Sequence, residues 1–382
     1  MIDIIDKKKC CGCHACYNIC PQKCILMQSD DEGFWYPVVE TEKCTDCGLC
    51  EKVCPILSKQ IVQNHPVGYA CINKDDSIRQ QSSSGGVFTL IAEKVIANQG
   101  VVFGAGFDGD FNVVHSWTNS LNGLANFRGS KYVESFIGDT YKQVSDFLKQ
   151  GRQVLFTGTP CQIAGLRSYL SKDYEELICL DIICHGVPSP LVWEKYRRKI
   201  ANGRQLKSVS FKDKTLGWKK CSLRFTYDHD EYIKDLSNDE YMQGFLKNVY
   251  LRPSCYHCNF KTLKRQSDIT MADFWGVKHI LPSFDNDLGT SLIFVNSQKG
   301  NAIFSSVADK MDSEEVHVEQ AIVHNSCAVQ SVAYNPQRND FFRELAGTAD
   351  ISQLIVKYTK ISSLRKIYGK LKAVLSRTAG WF

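Results

Sequence analysis

Beyond residue 66, short apolar runs alternate with longer stretches in which apolar residues recur at helical spacing. Four runs are short and apolar enough to be buried strands, namely 67–72, 101–107, 154–156 and 177–183. One helical stretch opens at Gly85-Gly86 and runs to Asn98, another leads to Gly151, and a third begins at Pro160. Strands that alternate with helices predict a mixed α/β domain with a mainly parallel sheet.

The first 58 residues follow a different pattern, in which cysteine dominates. Two runs read C-x2-C-x2-C-x3-C-P, and their cysteines are Cys10, Cys13, Cys16, Cys20, Cys44, Cys47, Cys50 and Cys54. Three closely spaced cysteines let one loop hold three corners of an iron–sulfur cubane, while the fourth reaches the other cluster. The pattern predicts one 4Fe–4S cluster on Cys10, Cys13, Cys16 and Cys54, and a second on Cys44, Cys47, Cys50 and Cys20.

Zinc is the alternative metal for cysteine pairs, but a zinc site takes four ligands in two C-x2-C pairs, which these two longer runs exceed. We expect Gly12 and Gly48 where the backbone approaches the sulfides closely. Cys11 and Cys24 fall outside the runs and are interpreted as bystanders. Residues 1–58 resemble bacterial two-cluster ferredoxins, which predicts a ferredoxin-like fold for this segment.

A polar stretch that ends in proline, QIVQNHP (60–66), marks the end of this module. We therefore divide the chain into a ferredoxin-like domain (1–58), a linker (59–66), an α/β domain (67–345) and a C-terminal tail (346–382).

Four further cysteines lie where an α/β sheet is expected to carry function. Cys161 and Cys184 each follow a predicted strand, and ligands bind beyond the carboxyl ends of such strands. Cys255 and Cys258 add a C-x2-C pair. The four could enclose a third 4Fe–4S cluster, but a zinc site, or a redox pair at 255 and 258 alone, fits the same spacing. The remaining cysteines are expected to be small buried side chains: Cys71, Cys179, Cys221 and Cys327.

Several segments could face a nucleotide or a flavin. SSSGG (82–86), at a helix start, offers either a phosphate site or an ordinary serine N-cap. Lys131-Tyr132 offers a cation and an aromatic face, or forms a solvated loop. The turn at 273–276 could pack on a flat ring or on the core. The strand–turn–strand segment 211–225 could present Lys214, Trp218 and Lys219 to an anionic ligand, or form an exposed hairpin.

Seven segments together resemble the beta subunit of coenzyme F420-reducing hydrogenases and F420-linked dehydrogenases, over about residues 1–345. They are SSSGGVF (82–88), VVFGAGFD (101–108), RGSKYV (128–133), GTPCQIAGL (158–166), CHGVPSP (184–190), RPSCYHC (252–258) and SDITMADFWG (267–276). The resemblance implies FAD and iron–sulfur clusters in one polypeptide, with a third cluster on Cys161, Cys184, Cys255 and Cys258. It also implies a flavin near Ser84, Gly85, Gly86, Lys131, Tyr132, Thr159, Pro160, Asp273, Phe274, Trp275 and Gly276.

These cofactors predict an iron–sulfur flavin oxidoreductase. Clusters pass single electrons, hydride acceptors take two, and a flavin handles both, so we expect electrons to run between a ferredoxin-type partner, the clusters, FAD and a small molecule such as an F420-like cofactor. The direction of flow and the substrate stay open. His185 is a candidate proton donor, with a structural histidine as the alternative.

Two other functions compete with this one. The chain could be a non-catalytic electron-transfer subunit that feeds a partner enzyme. It could also be a redox sensor or an assembly component, tied to surface-polysaccharide metabolism.

Composition narrows the class of protein. The chain has 382 residues, 43% of them hydrophobic, and a formal net charge of +5, which does not by itself indicate nucleic acid. Eighteen cysteines, without an apolar leader before Cys10, predict metal binding in a reducing, cytoplasmic compartment rather than a disulfide scaffold.

The positive excess lies at the C-terminus. Residues 351–382 hold seven basic residues and no acid, and Leu364, Ile367, Tyr368, Leu371, Val374 and Leu375 share one helical face. Such a helix suits an anionic membrane surface, but equally its own protein or a partner.

Overall fold

The computed structural model describes residues 1–360. The helical face predicted at 364–375 therefore lies outside the described residues. Two antiparallel strands and two short helices build the N-terminal module: α1 (Ala15–Ile19), β1 (Ile25–Ser29), β2 (Trp35–Val39) and α2 (Leu49–Lys52).

The rest of the described chain alternates strands and helices. Its strands are β3 (Val67–Asn73), β4 (Val101–Phe107), β5 (Val113–Thr118), β6 (Val154–Thr157), β7 (Leu177–Ile182), β8 (Ser208–Asp213), β9 (Ser222–Thr226), β10 (Glu231–Asp235), β11 (Ile269–Asp273), β12 (Ser291–Val295) and β13 (Met311–Val316). Its helices are α3 (Asp76–Gln81), α4 (Val87–Ala97), α5 (Thr140–Lys149), α6 (Pro160–Leu170), α7 (Pro190–Ala201), α8 (Glu240–Leu246), α9 (Gln298–Ser305), α10 (Val318–Ala321), α11 (Arg338–Leu345) and α12 (Ile351–Thr359).

Eight strands form one mixed sheet in the order β13-β3-β12-β11-β7-β6-β4-β5. The four central strands β11, β7, β6 and β4 run parallel, and the flanking strands pair antiparallel. The parallel strands β4, β6 and β7 are apolar and mostly buried, as strands covered by helices on both faces are, and the antiparallel strand β12 is buried along its whole length. The edge strand β13 carries exposed acidic residues, which protects an open edge. The predicted mixed α/β fold behind a ferredoxin-type module is confirmed, and parallel pairing is confined to the centre of the sheet.

A second, three-stranded sheet (β10-β9-β8) follows α7 and packs on an aromatic core. This core contains Trp193, Phe211 and Tyr241 of the α/β domain together with Phe34 of the N-terminal module, which is fully buried. Residues of both predicted domains thus pack in one hydrophobic core.

The C-terminal part of the described chain also packs inward. Helix α12 buries Ile351, Leu354, Ile355 and Tyr358 against α7, α8 and α11. The predicted tail therefore begins, at residue 346, within the packed part of the molecule. Among residues 1–360, none of the helices combines the length and the apolar character that crossing a membrane requires.

Candidate functional site

The eight cysteines of the N-terminal module surround two separate cavities. One, of about 350 Å³ including space open to solvent, is lined by Cys10, Cys13, Cys16 and Cys54. The other, of similar volume, is lined by Cys20, Cys44, Cys47 and Cys50. We call them the inner and the outer cluster sites. Each combines three cysteines of one run with the fourth of the other, which is the arrangement predicted from the spacing.

Glycine lets the backbone turn sharply beside each group of cysteines. Gly12 has φ +68° and Gly48 has φ +72°, a left-handed conformation that favours glycine. A Cβ at Gly12 would lie 2.6 Å from Glu134 Oε1, whereas open space surrounds the same position at Gly48. Backbone conformation explains both glycines, and close packing adds a second reason at Gly12.

Backbone amides stabilise several of these sulfurs. Ile2 N–H donates to Cys50 Sγ at 3.3 Å, and Asp46 N–H donates to Cys44 Sγ at 3.4 Å. Donors that point at sulfur suit a thiolate that carries negative charge, as a cluster ligand does. The donor set therefore fits iron–sulfur clusters at these positions.

A third, larger cavity of about 700 Å³, including open space, lies at the carboxyl end of the parallel strands. The four cysteines predicted for a third cluster all line it: Cys161, Cys184, Cys255 and Cys258. Cys161 is placed by the first turn of α6 and Cys184 by the end of β7, while a short 3-10 helix carries Cys255. We call this cavity the third cluster site.

Two cysteines interpreted as incidental also line the third cluster site, namely Cys11 and Cys327. Cys11 lies within hydrogen-bond reach of both Cys13 and Cys161, and it borders the inner cluster site as well. Cys24 lines the outer cluster site, where its Sγ lies 3.4 Å from Cys20 Sγ. Position alone does not make these residues ligands, but none of the three is remote from the predicted metal sites.

Within residues 1–360, no group of three or more histidine, cysteine or acidic side chains converges tightly enough to hold a single metal ion. A cubane is held by ligands spread around a cluster and not by ligands that converge on one ion.

His185 lies at the third cluster site, and both of its ring nitrogens have side-chain partners. Its Nε2 lies 2.7 Å from Asn248 Oδ1, and its Nδ1 lies 3.7 Å from Cys327 Sγ. Asn248 Nδ2 donates to Ala333 O, which leaves Oδ1 to accept the Nε2 proton. Burial lowers the pKa of His185, so the neutral ring is favoured. These contacts favour the structural alternative for His185.

Two of the segments predicted to face a flavin are joined by a hydrogen bond. Ser130 N–H donates to Ser83 Oγ at 2.7 Å, which joins the 128–131 loop to the SSSGG segment. Arg128 Nε donates to Thr89 Oγ1 in the first turn of α4. Arg128 therefore lies beside the N-terminus of α4, whose first residues leave N–H groups free. Lys131 Nζ donates to Asn126 O and Arg128 O within the same loop.

A buried ion pair lies next to this loop. Lys212 Nζ lies 2.6 Å from Asp273 Oδ2, and Trp218 Nε1 donates to Asp273 Oδ1 and to Ser83 O. The rings of Trp218 and Trp275 stack with centroids 4.5 Å apart, below the Lys212 ammonium. Trp275 remains 40% exposed, so part of this aromatic pair is accessible to solvent.

The structure distributes the other predicted flavin residues in three ways. Gly85 and Gly86 lie tight against β3 and α3, and Gly86 has φ +85°. Phe274 is fully buried in the core, and Tyr132 packs on Phe245. A last group lies elsewhere: Thr159 and Pro160 line the third cluster site, and Gly276 contacts His324.

Lys219 is exposed, as expected for a hairpin at 211–225, but two other lysines and the tryptophan of this segment are deeply buried. Lys212, Lys214 and Trp218 are 5%, 4% and 3% exposed. Burial alone would lower the pKa of Lys212, but the charge of Asp273 offsets this and the pKa is raised. Burial and the neighbouring Lys212 lower the pKa of Lys214 to about 7. Burial also lowers the pKa of Lys131 to about 7.

Sequence reasoning missed a second buried ion pair. Arg252 Nη1 lies 2.6 Å from Glu134 Oε1, and both side chains are buried. The sequence signal for Arg252 is its position in the cysteine-bearing segment RPSCYHC, immediately before Pro253. Glu134 follows Lys131-Tyr132 in RGSKYVE and carries no comparable signal.

Two family models match the chain. Residues 151–321 match the model for the C terminus of the coenzyme F420 hydrogenase/dehydrogenase beta subunit. Residues 9–56 match the model of a 4Fe-4S dicluster domain. The resemblance stated from the sequence motifs is confirmed by these two matches. In a comparison with curated proteins, nothing matches this chain.

Among solved structures, similarity is found to a chain from "Xenon derivatization of the F420-reducing NiFe hydrogenase complex from Methanosarcina barkeri". The identity is 18%, the TM-score is 0.46, and the alignment covers 78% of this chain and 92% of that chain. A likeness this distant carries no conclusion about cofactor or substrate.

Proposed function

We propose that this chain, an iron–sulfur electron-transfer protein related to the F420 hydrogenase beta subunit, is an iron–sulfur flavin oxidoreductase. It holds two 4Fe–4S clusters in the N-terminal module, a third 4Fe–4S cluster and FAD. Its redox partner is a ferredoxin or another redox protein, and its substrate is a hydride-accepting small molecule of F420-like or other structure.

The shared wall between two cysteine-lined cavities is the observation that carries this proposal. Cys11, Gly12 and Ile56 border both the inner cluster site and the third cluster site. Cys47, at the outer cluster site, is exposed to solvent. The sites thus run from an exposed end, where a protein partner can approach, to an inner end beside the α/β domain. Such an order suits electron transfer better than a structural role.

The flavin is assigned to the surface formed by the SSSGG segment, the 128–131 loop and the pair Trp218–Trp275. Arg128, Lys131 and the N-terminus of α4 supply positive charge for a pyrophosphate. Trp275 supplies a partly exposed aromatic ring. A flavin supplies the exchange between single electrons and a hydride. The protein contributes position, charge and exclusion of water.

Anaerobic purification with quantitation of iron, sulfide and flavin tests the proposal. The expected result is about twelve irons and about one FAD per chain, as three cubanes and a flavin require. About eight irons without flavin would leave a two-cluster electron carrier that serves a partner enzyme, and would contradict the oxidoreductase.

A cysteine variant tests the third cluster separately. In Cys255→Ser/Cys258→Ser, about four irons per chain should be lost while about eight remain. The matched control is Cys71→Ala/Cys179→Ala, which removes two buried cysteines of the sheet and should keep all the iron. Loss of iron in the control alone would reject the assignment of the ligands.

A further inference from the structure

Arg252 places a fixed positive charge directly on one of the predicted cluster ligands. Its Nη2 donates to Cys10 Sγ at 3.5 Å and its Nε donates to Cys10 O at 2.9 Å. The side chain is 0% exposed, and its guanidinium also stacks over Tyr36 at 4.2 Å. A guanidinium held by this many contacts has one orientation, and its fork fits several acceptors at once.

Glu134 holds the other side of the guanidinium. Glu134 Oε1 accepts from Arg252 Nη1, while Trp35 O accepts from Nη2 beside the sulfur. The pair is therefore a buried dipole with its positive end towards Cys10. Glu134 also lines the third cluster site. The ion pair thus lies between the inner cluster site and the third cluster site.

The outer cluster site has no equivalent contact among the described residues. The backbone N–H groups of Ile2 and Asp46 donate to its sulfurs, and the Cys24 thiol lies beside Cys20 Sγ. At the third cluster site, Val187 N–H donates to Cys255 Sγ. Across residues 1–360, Arg252 is the single charged side chain hydrogen bonded to a predicted ligand sulfur. The three sites therefore differ in the electrostatics of their ligands.

We propose that the Arg252–Glu134 ion pair sets the reduction potential of the inner cluster, with Arg252 as a positioning residue that raises it above that of the outer cluster. This inference rests on the proposed function, because it requires clusters at the predicted cysteines. Net charge and hydrogen bonds to the sulfurs tune the potential of such clusters. One-electron reduction adds one negative charge to the cluster, and the nearby guanidinium stabilises that charge in a buried setting of low dielectric.

A higher reduction potential at the inner cluster would favour electron transfer to it from the outer cluster. Electrons that enter at the exposed outer cluster would move downhill to the inner one. Charge at Arg252 would favour inward transfer without any movement of the protein.

The test is a redox titration of anaerobically reconstituted full-length protein, followed by electron paramagnetic resonance. Two variants should shift the midpoint potential of the inner cluster in opposite directions. Glu134→Gln keeps the shape and removes the negative charge, so the midpoint potential of the inner cluster should rise. Arg252→Met/Glu134→Gln removes both charges and the donor to Cys10 Sγ, so that potential should fall. The exposed ligand variant Cys47→Ser identifies the signal of the outer cluster, which should not move in either charge variant.

The control is Arg338→Met/Glu32→Gln. This second buried Arg–Glu pair also joins the module to the α/β domain, but Arg338 donates to Glu32 and Leu251 O and not to sulfur. Its loss should leave both midpoint potentials in place. If Glu134→Gln leaves the inner potential unchanged, the inference is wrong even where the double variant fails to fold. If the wild-type protein takes up no iron, the proposed function itself fails, which the iron assay reports separately.

Discussion

Gly165, in the middle of α6, lies in close contact with the N-terminal module. A Cβ built there would lie 2.8 Å from Cys13 Cβ, 2.9 Å from Cys13 Sγ and 3.1 Å from Tyr141 Oη. Cys13 is a predicted ligand of the inner cluster, and Tyr141 is buried and donates to Gln162 O. Gly165→Ala therefore perturbs the module through a residue that is not itself a predicted ligand.

Two opposing effects decide the outcome. Alanine in a helix interior is about 1 kcal/mol more favourable than glycine. Against this, ordinary contact begins near 3.4 Å, so Cys13 Sγ must move by about 0.5 Å, and overpacking of this kind costs about 1–3 kcal/mol. The sum is a destabilisation of about 0–2 kcal/mol. The displaced side chain is the sulfur that should bind iron, so the inner cluster should become labile.

The assay follows iron release to a chelator under argon, together with urea unfolding. The variant should lose about four irons faster than the wild type. Gly109→Ala is the matched control, because open space surrounds its Cβ position, and its stability should change by less than about 0.5 kcal/mol. A Gly165→Ala protein that is about 1 kcal/mol more stable than wild type, with unchanged iron release, would refute this reasoning.

Three further predictions concern the α/β domain. Asp273→Asn leaves the buried Lys212 charge unpaired and should cost about 3–5 kcal/mol in urea unfolding. Asp285→Asn, which breaks the pair with the solvent-exposed Lys219, should cost far less. Burial lowers the pKa of Lys131 to about 7, so above that pH the binding of FAD should be coupled to protonation of Lys131. In fluorescence titrations the Kd for FAD should therefore rise by up to about tenfold per pH unit, and Lys131→Arg should flatten this pH profile. His185→Asn should keep the turnover per flavin within about twofold of wild type, and a drop of about a hundredfold would support His185 as the proton donor.

The parts of the site that sequence predicts are those carried by local spacing. The two cysteine runs specify which residues meet at each cavity, because the loop geometry of a cubane is encoded within eleven residues from Cys10 to Cys20. The strand ends that carry Cys161 and Cys184 follow from two apolar runs and the edge rule of parallel sheets. These predictions need no long-range information.

The parts that sequence does not predict depend on contacts between distant segments. Arg252 is 242 residues from Cys10, and nothing near either residue reports their hydrogen bond. Lys212 follows Phe211 in strand β8, where an alternating pattern would expose the lysine. Its burial depends instead on the distant residues Asp273 and Trp218. The antiparallel strands β12 and β3 interrupt the alternation that predicted a mainly parallel sheet.

The shared core around Phe34 changes what the linker means. A module that hangs on a flexible tether can lose its cofactor while its neighbour stays folded. Here the aromatic side chains of Phe34 and Trp193 belong to one cluster, so the two units are mechanically a single body and should unfold in one cooperative transition. Damage to an N-terminal cluster by oxygen would then destabilise the whole chain, and the resistance of the protein to proteolysis would depend on cluster occupancy.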